Sequence, residues 1–251
     1  MTSAEIPLTG GNASSFVVRV GETVRKPWTP PSGSVQRLLT HLRAAVGDLV
    51  PEPRGRDDGG RQILEFVPGA EAMMQLPMTG SDVERVGASI RELHEASASF
   101  VRSDADVWET AMRRPGDEII GHNDLAPWNL IRGGGRWAFI DWDGAGPTTR
   151  IADLAYAARA FAQLDHEHEL DGSILLLRAV LRGYGAEPEE RARVVPAMVE
   201  RTEAMRDLLT ESRTSGAEPW ASMAADGHGG YWSNAAAHVR RHRETIARAV
   251  R

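Results

Sequence analysis

The sequence predicts an α+β protein of two lobes: a small antiparallel sheet with one helix in residues 1–67, and a larger, mostly helical part in residues 68–251. Two observations carry this expectation. Short β-branched runs separated by glycine turns crowd into the first quarter of the chain, whereas from about Thr149 onward the chain reads as helices. A chain of 251 residues buries a sizeable core and lies between one large domain and two small ones.

Residues 14–20 (Ser-Ser-Phe-Val-Val-Arg-Val) and 22–26 (Glu-Thr-Val-Arg-Lys) form a hairpin joined at Gly21, preceded by a turn at Gly10-Gly11-Asn12. After a proline-rich break at 27–31, Val35, Leu38, Leu39, Leu42 and Val46 recur on one helical face, and the helix ends near Gly47. Strands follow around 50–55 and 61–67, with Asp57-Asp-Gly-Gly60 as their turn. Pro68-Gly69 marks the lobe boundary. Ser81-Asp-Val-Glu84 is a capping-box pattern opening a helix that runs to about Ser97 through Val83, Val86, Ile90 and Leu93. Short strands return at 118–121 and within 129–140, where Gly133-Gly-Gly135 is the turn. Helices are expected at 150–164, 171–184, 188–213 and 234–250, with a Gly/Trp/Ser-rich loop near 215–233.

Composition narrows the function classes. Hydrophobic residues at 41% and charged residues at 25% suit a globular protein and exclude wholesale disorder. A net charge of -6 argues against a nucleic-acid partner, because such affinity comes mainly from Lys and Arg on phosphates. Without cysteine there is no disulfide, thiolate nucleophile or Cys-ligated zinc. The start Met-Thr-Ser-Ala-Glu-Ile-Pro lacks the basic and apolar regions of a signal peptide, and no segment reaches the length of a membrane span, so a cytoplasmic protein with no membrane partner is expected.

The stretch Gly121-His-Asn-Asp-Leu-Ala-Pro-Trp-Asn-Leu130, followed by Ile140-Asp-Trp-Asp143, points to phosphoryl transfer. That reaction needs one carboxylate at the acceptor hydroxyl and oxygen ligands for Mg²⁺ on a nucleotide. Asp124 is the candidate base, while Asn129 and Asp141 offer the hard oxygens that Mg²⁺ selects. Pro127 and Trp128 stiffen the loop between them, and His122 orients it through a hydrogen bond. Asp143 reads either as a second metal ligand or as a loop-capping residue.

These motifs resemble the aminoglycoside phosphotransferase family, small-molecule relatives of the protein kinases. The family's loop His-Gly-Asp-x-x-x-x-Asn corresponds to His122–Asn129, and its Ile-Asp-[Trp/Phe]-[Asp/Glu] motif to Ile140–Asp143. Asp153-Leu-Ala155, the Leu93-His94 helix end and Glu65-Phe-Val-Pro-Gly69 extend the likeness over about residues 10–160. The resemblance implies a protein-kinase-like fold with a five-stranded N-lobe sheet, and an ATP-dependent phosphotransferase (GTP is possible) using Mg²⁺ and a small hydroxylated acceptor. It implies that Glu65, Phe66 and Val67 pass the adenine, Phe66 and Val67 as apolar walls.

It also implies that the turn at 10–15 covers the phosphates through backbone amides at Gly11 and the Ser14 or Ser15 hydroxyl, although this is not a Gly-x-Gly-x-x-Gly loop. The phosphate-steadying cation falls on Arg25 or Lys26, and alternation from Val24 favours Arg25. Its usual glutamate partner on the N-lobe helix is absent, since Val35, Gln36 and Arg37 occupy that region. His94 and Asp153 are expected to support the loop rather than to react.

On the acceptor side, the run Asp165-His-Glu-His-Glu169 with Asp171 either attracts a polycationic aminoglycoside or forms a solvated face. Trp220, Tyr231 and Trp232 around Gly229-Gly230 form either an acceptor lid or core packing. Two alternatives stand beside the kinase: a catalytically impaired nucleotide-binding module, and a metal-dependent phosphoesterase built on His122, Asp124, Asp141 and Asp143. The chain is expected to be a monomer or a homodimer.

Overall fold

The computed structural model describes residues 4–8, 17–112 and 116–251. Its N-terminal part is a fully antiparallel sheet of β1 (Glu5–Pro7), β2 (Val18–Val20), β3 (Thr23–Pro27), β4 (Pro53–Arg56) and β5 (Arg61–Glu65), in the order β1-β2-β3-β5-β4. β1 has no counterpart in the residue pattern; three exposed residues give no alternation to read. α1 (Ser32–Val46) lays Val35, Leu38, Leu39 and Leu42 into the core, and Gln36 ties it to the sheet by donating to the Ile63 carbonyl (3.2 Å) and accepting from the Gly55 amide (3.0 Å). It ends at Gly47, whose φ of 56° favours glycine.

The next strand belongs to a different sheet. β6 (Ala70–Glu71) pairs with β8 (Leu130–Gly133), which pairs with β9 (Arg136–Phe139) across a two-residue turn at Gly134 and Gly135, both at positive φ. A second ladder joins β7 (Ile119–Gly121) to β10 (Gly146–Thr148). Between β6 and β7 runs α2 (Gly80–Ala98). Its capping box lies two residues before the expected one: Thr79 accepts from the Asp82 amide and Asp82 accepts from the Thr79 amide.

α2 crosses α4 (Leu170–Tyr184) at very close range, because both present glycine there. A Cβ on Gly183 would sit 1.8 Å from the Glu84 carbonyl oxygen, and one on Gly87 2.1 Å from that of Val180. Gly183→Ala and Gly87→Ala are each expected to cost about 1–3 kcal/mol in denaturant unfolding, since backbone must separate to admit the methyl. An unchanged midpoint for both would contradict this packing.

The rest is α3 (Arg150–Phe161), α5 (Pro188–Ser215), the short α6 (Trp220–Met223) and α7 (Gly229–Val250). The loop expected over 215–233 is therefore largely helical, α6 leading into α7 through a turn of π-helix broken at Gly227 (φ 101°). Local composition misleads here because Trp232, Ala235, Ala236 and Val239 recur on the α7 face buried against α5, and that burial outweighs the poor helix propensity of Gly229-Gly230. Among the described residues, no helix is long and apolar enough to cross a membrane.

Candidate active site

The loop between β7 and β8 is held from below by one carboxylate. Asp153, fully buried on α3, accepts from the His122 amide (3.2 Å), the Asn123 amide (2.7 Å) and His94 Nε2 (3.1 Å), and His94 Nδ1 reaches the Tyr184 hydroxyl (2.9 Å). Burial works to raise the Asp153 pKa, but the hydrogen bond and charge of His94 and the bond from Asn123 outweigh it, and the carboxyl is held below its ordinary range. Asn123 stands where the aminoglycoside phosphotransferase pattern has glycine. Its φ of 65° explains the choice: asparagine tolerates the left-handed region, and here its Nδ2 also donates to the Gly144 (3.1 Å) and Gly146 (3.3 Å) carbonyls.

His122 is engaged at both nitrogens. Nε2 bonds to the Ile140 carbonyl (2.9 Å) and Nδ1 accepts the Asp124 amide (3.2 Å), so the ring ties the loop to the strand that delivers Asp141. That geometry orients Asp124 and leaves the ring no free nitrogen for a proton-transfer step. The Asp124 carboxylate accepts the Tyr156 hydroxyl on Oδ1 (2.6 Å) and Asn129 Nδ2 (2.8 Å) and Trp128 Nε1 (3.4 Å) on Oδ2. Burial raises its pKa, partly countered by the Tyr156 hydrogen bond and the charges nearby.

Asn129 and Asp141 come together through the ladder. The Ile140 amide donates to the Asn129 carbonyl (2.9 Å), which sets Asp141 one residue beyond Asn129's partner, with its backbone in the left-handed region at φ 61°. Its side chain is 43% exposed and faces Lys26, whose Nζ lies 3.3 Å from Asp141 Oδ1 and 2.6 Å from Asp143 Oδ1. Burial opposes the charge on Lys26, but Asp141 and Asp143 outweigh it and raise the Lys26 pKa. These two aspartates occupy the cation in place of a helix glutamate, and α1 contains no acidic residue.

Arg25, favoured by the alternation argument, points the other way: its Nε is 3.5 Å from Asp57 and its Nη1 donates to Thr23 (2.6 Å). Lys26 pairs across the sheet with buried Gln62, as Val24 does with buried Leu64, so the cleft lies on the same face as Val24 and the residue two further on reaches it. Gly11, Ser14 and Ser15 lie outside the described residues.

The Glu65–Val67 segment differs in detail from the expectation. The Glu65 amide donates to the Glu52 carbonyl and the Phe66 amide to that of Glu22, so both are spent within the sheet; among the described residues the Val67 amide has no partner. The Glu65 side chain pairs with Arg136 (2.6 Å) on β9; burial works to raise its pKa, and Arg136 with the Glu52 amide bond lowers it. Phe66 lies under Arg19, 3.8 Å from guanidinium carbon to ring centroid, while Val67 packs with Ile131, Ala138 and Ile140 into a small apolar floor beside the Asp141 strand.

On the helical side, Tyr156 bonds Asp124, Arg201 and Trp232 pack on the Tyr156 ring, and Arg159 lies over Trp232; of these only Trp232 was named from the sequence, as either an acceptor lid or core packing. Tyr156 follows Asp153 by three residues on α3, one helical step on the same face, which is the single signal the sequence offered. Asp165 is buried while the rest of the acidic run is exposed, and Trp232 is buried against Tyr156. Among the described residues no group of three His, Cys, Asp or Glu stands close enough together to hold a metal ion.

A protein of Rhizobium leguminosarum bv. trifolii described as a trifolitoxin immunity protein is 31% identical over 261 residues, covering 98% of each chain. Residues 102–194 match the model of the phosphotransferase enzyme family, a segment that includes the 122–129 loop, Asp141 and Asp153. The chain belongs to the phosphotransferase enzyme family. Its fold is kinase-like: the phosphotransferase superposes with a TM-score of 0.64 on a choline/ethanolamine kinase family protein from Mesorhizobium loti, at 17% identity and over 100% of this chain and 93% of the other. An amicoumacin kinase in complex with AMP-PNP and Ca²⁺ gives a TM-score of 0.65 at 12% identity, over 97% and 88% of the two chains.

Proposed function

We propose that this phosphotransferase moves the γ-phosphoryl group of a nucleotide, ATP or GTP, to a hydroxyl of a small molecule. The carrying observation is the convergence on one cleft of Asp124, Asn129, Asp141 and Lys26, contributed by three separate stretches of chain. Asp124 receives the acceptor hydroxyl and takes its proton. Asn129 and Asp141 present one neutral and one charged hard oxygen, a donor set that suits Mg²⁺ when phosphate oxygens and water fill the remaining positions. A bound Mg²⁺ would neutralise phosphate charge during transfer.

Lys26 holds the α- and β-phosphates in this reading, leaving Asp141 to the metal. Val67, Ile131 and Ile140 would form the apolar seat of the base, and the Val67 amide would be its donor. The relative's description as an immunity protein supports a toxin or antibiotic as acceptor, and hence a protective role.

Nucleotide consumption over a panel of aminoglycosides, other hydroxylated antibiotics and amino alcohols tests the reading, with phosphorylated acceptor identified by mass. Acceptor-dependent consumption that needs a divalent cation is expected. Lys26→Ala is expected to lower kcat/KM for the nucleotide about 10²-fold, on the scale of losing one charge-stabilising donor, while Arg25→Ala stays within about twofold. The reverse ranking would return the phosphate contact to Arg25.

A further inference from the structure

The side chains packed around Tyr156, whose hydroxyl bonds Asp124, are cationic and aromatic. The Arg201 guanidinium lies 4.2 Å from the Tyr156 ring centroid, the Trp232 ring stacks on Tyr156 with centroids 6.3 Å apart, and the Arg159 guanidinium lies 4.6 Å from the Trp232 ring centroid. Burial raises the Tyr156 pKa and Asp124 raises it further, while the positive charges of Arg201 and Arg159 oppose both.

Arg159 is the informative member. It is 3% exposed, yet its guanidinium makes one described hydrogen bond, Nη1 to the Tyr231 hydroxyl at 3.3 Å, and its Nε is buried without a partner. A guanidinium carries five N–H donors and stays charged at any pH a folded protein meets. Buried charges are normally paired, and the carboxylate linked to it through Tyr231 does not pair with it: Asp165 is taken by the Tyr231 hydroxyl (2.9 Å), His168 Nδ1 (2.7 Å) and the Glu167 amide (3.0 Å). The other acids of that run, Glu167, Glu169 and Asp171, are exposed.

Resting on the phosphotransferase reading above, we propose that the acceptor bears a carboxylate besides its hydroxyl, and that the carboxylate docks on Arg159 beside the Tyr231 and Trp232 rings. The planar guanidinium fork matches a carboxylate's two oxygens, and aromatic walls keep water from competing for them. A polycation would instead bring an ammonium group beside the buried Arg159 guanidinium with little solvent to screen the two.

Three alcohols of one shape test this: 3-(hydroxymethyl)benzoate, 3-(hydroxymethyl)benzamide and 3-(hydroxymethyl)benzylamine, titrated against tryptophan fluorescence. The carboxylate is expected to bind about tenfold more tightly than the amide, the gain of one charge-assisted pair, with the amine weakest. Arg159→Gln is expected to erase that preference while its Mg²⁺–ATP affinity remains that of the parent. Carboxylate binding that is absent or no tighter than the amide's, an amine that binds best, or a preference that survives Arg159→Gln overturns the proposal. If Arg159→Gln does not fold, the ranking in the unmodified protein decides alone. Nucleotide consumption is scored separately: a carboxylate preference without any phosphoryl transfer upholds the charge assignment and counts against the phosphotransferase reading.

Discussion

Asp124→Asn is expected to lower kcat about 10²- to 10⁴-fold, the contribution of a positioned general base, with nucleotide affinity nearly unchanged. The carboxylate sits where Tyr156, Asn129 and Trp128 all donate to it, so its direction is set before any acceptor arrives. Asparagine turns an N–H toward Asn129 or Tyr156, so Asp124→Ala serves as the companion variant and is expected to lose as much. Initial rates with saturating nucleotide and mass detection of phosphorylated acceptor check both. A carboxylate accepts a proton only when ionised, and burial raises the Asp124 pKa, so the acid limb of kcat/KM is expected above the ordinary aspartate midpoint of about 4. Parent-like turnover in either variant would remove Asp124 as the base.

Asp153→Ala is expected to destabilise the fold by about 3–5 kcal/mol, the scale for removing one partner from a fully buried ionic network. The loss strands the amides of His122 and Asn123 and the Nε2 of His94 at once, and so frees the loop that aims Asp124. Urea unfolding measures the first effect and kcat the second; Asp153→Asn, which keeps one acceptor oxygen, is expected to fall between. The pH dependence follows from the lowered pKa: stability from Asp153 is complete above the unfolded-state value near about 4 and is lost as pH falls through the lower folded value. The parent is therefore expected to lose stability in acid more steeply than Asp153→Ala. Equal acid limbs would assign the network no ionic contribution.

Legibility followed the range of the forces involved. The turns at Asp57–Gly60 and Gly134-Gly135, the α1 stripe and the end of α1 at Gly47 are local, and the sequence placed them closely. The α2 cap was two residues off because Thr79-x-x-Asp82 and Ser81-x-x-Glu84 offer nearly the same chemistry. Arg25 and Lys26 differ by one residue and therefore by a whole face of β3; alternation separated them, but nothing local said on which face the cleft would lie. Residues 215–233 read as loop because they are rich in glycine, tryptophan and serine, and became helical because α5 supplied a surface to bury against.

Taken alone, the sequence determined the α+β class and singled out Asp124, Asn129 and Asp141 as candidates, because a carboxylate and an amide five residues apart on one stiff loop are a short-range arrangement. Only the tertiary structure decided which cation faces Asp141, which amides Asp153 holds in supporting the loop, and that Tyr156 bonds Asp124 with Arg201 packed on its ring. Those contacts join residues from about 30 to more than 110 positions apart, and pairing at such range is set by how helices and strands pack rather than by any spacing along the chain.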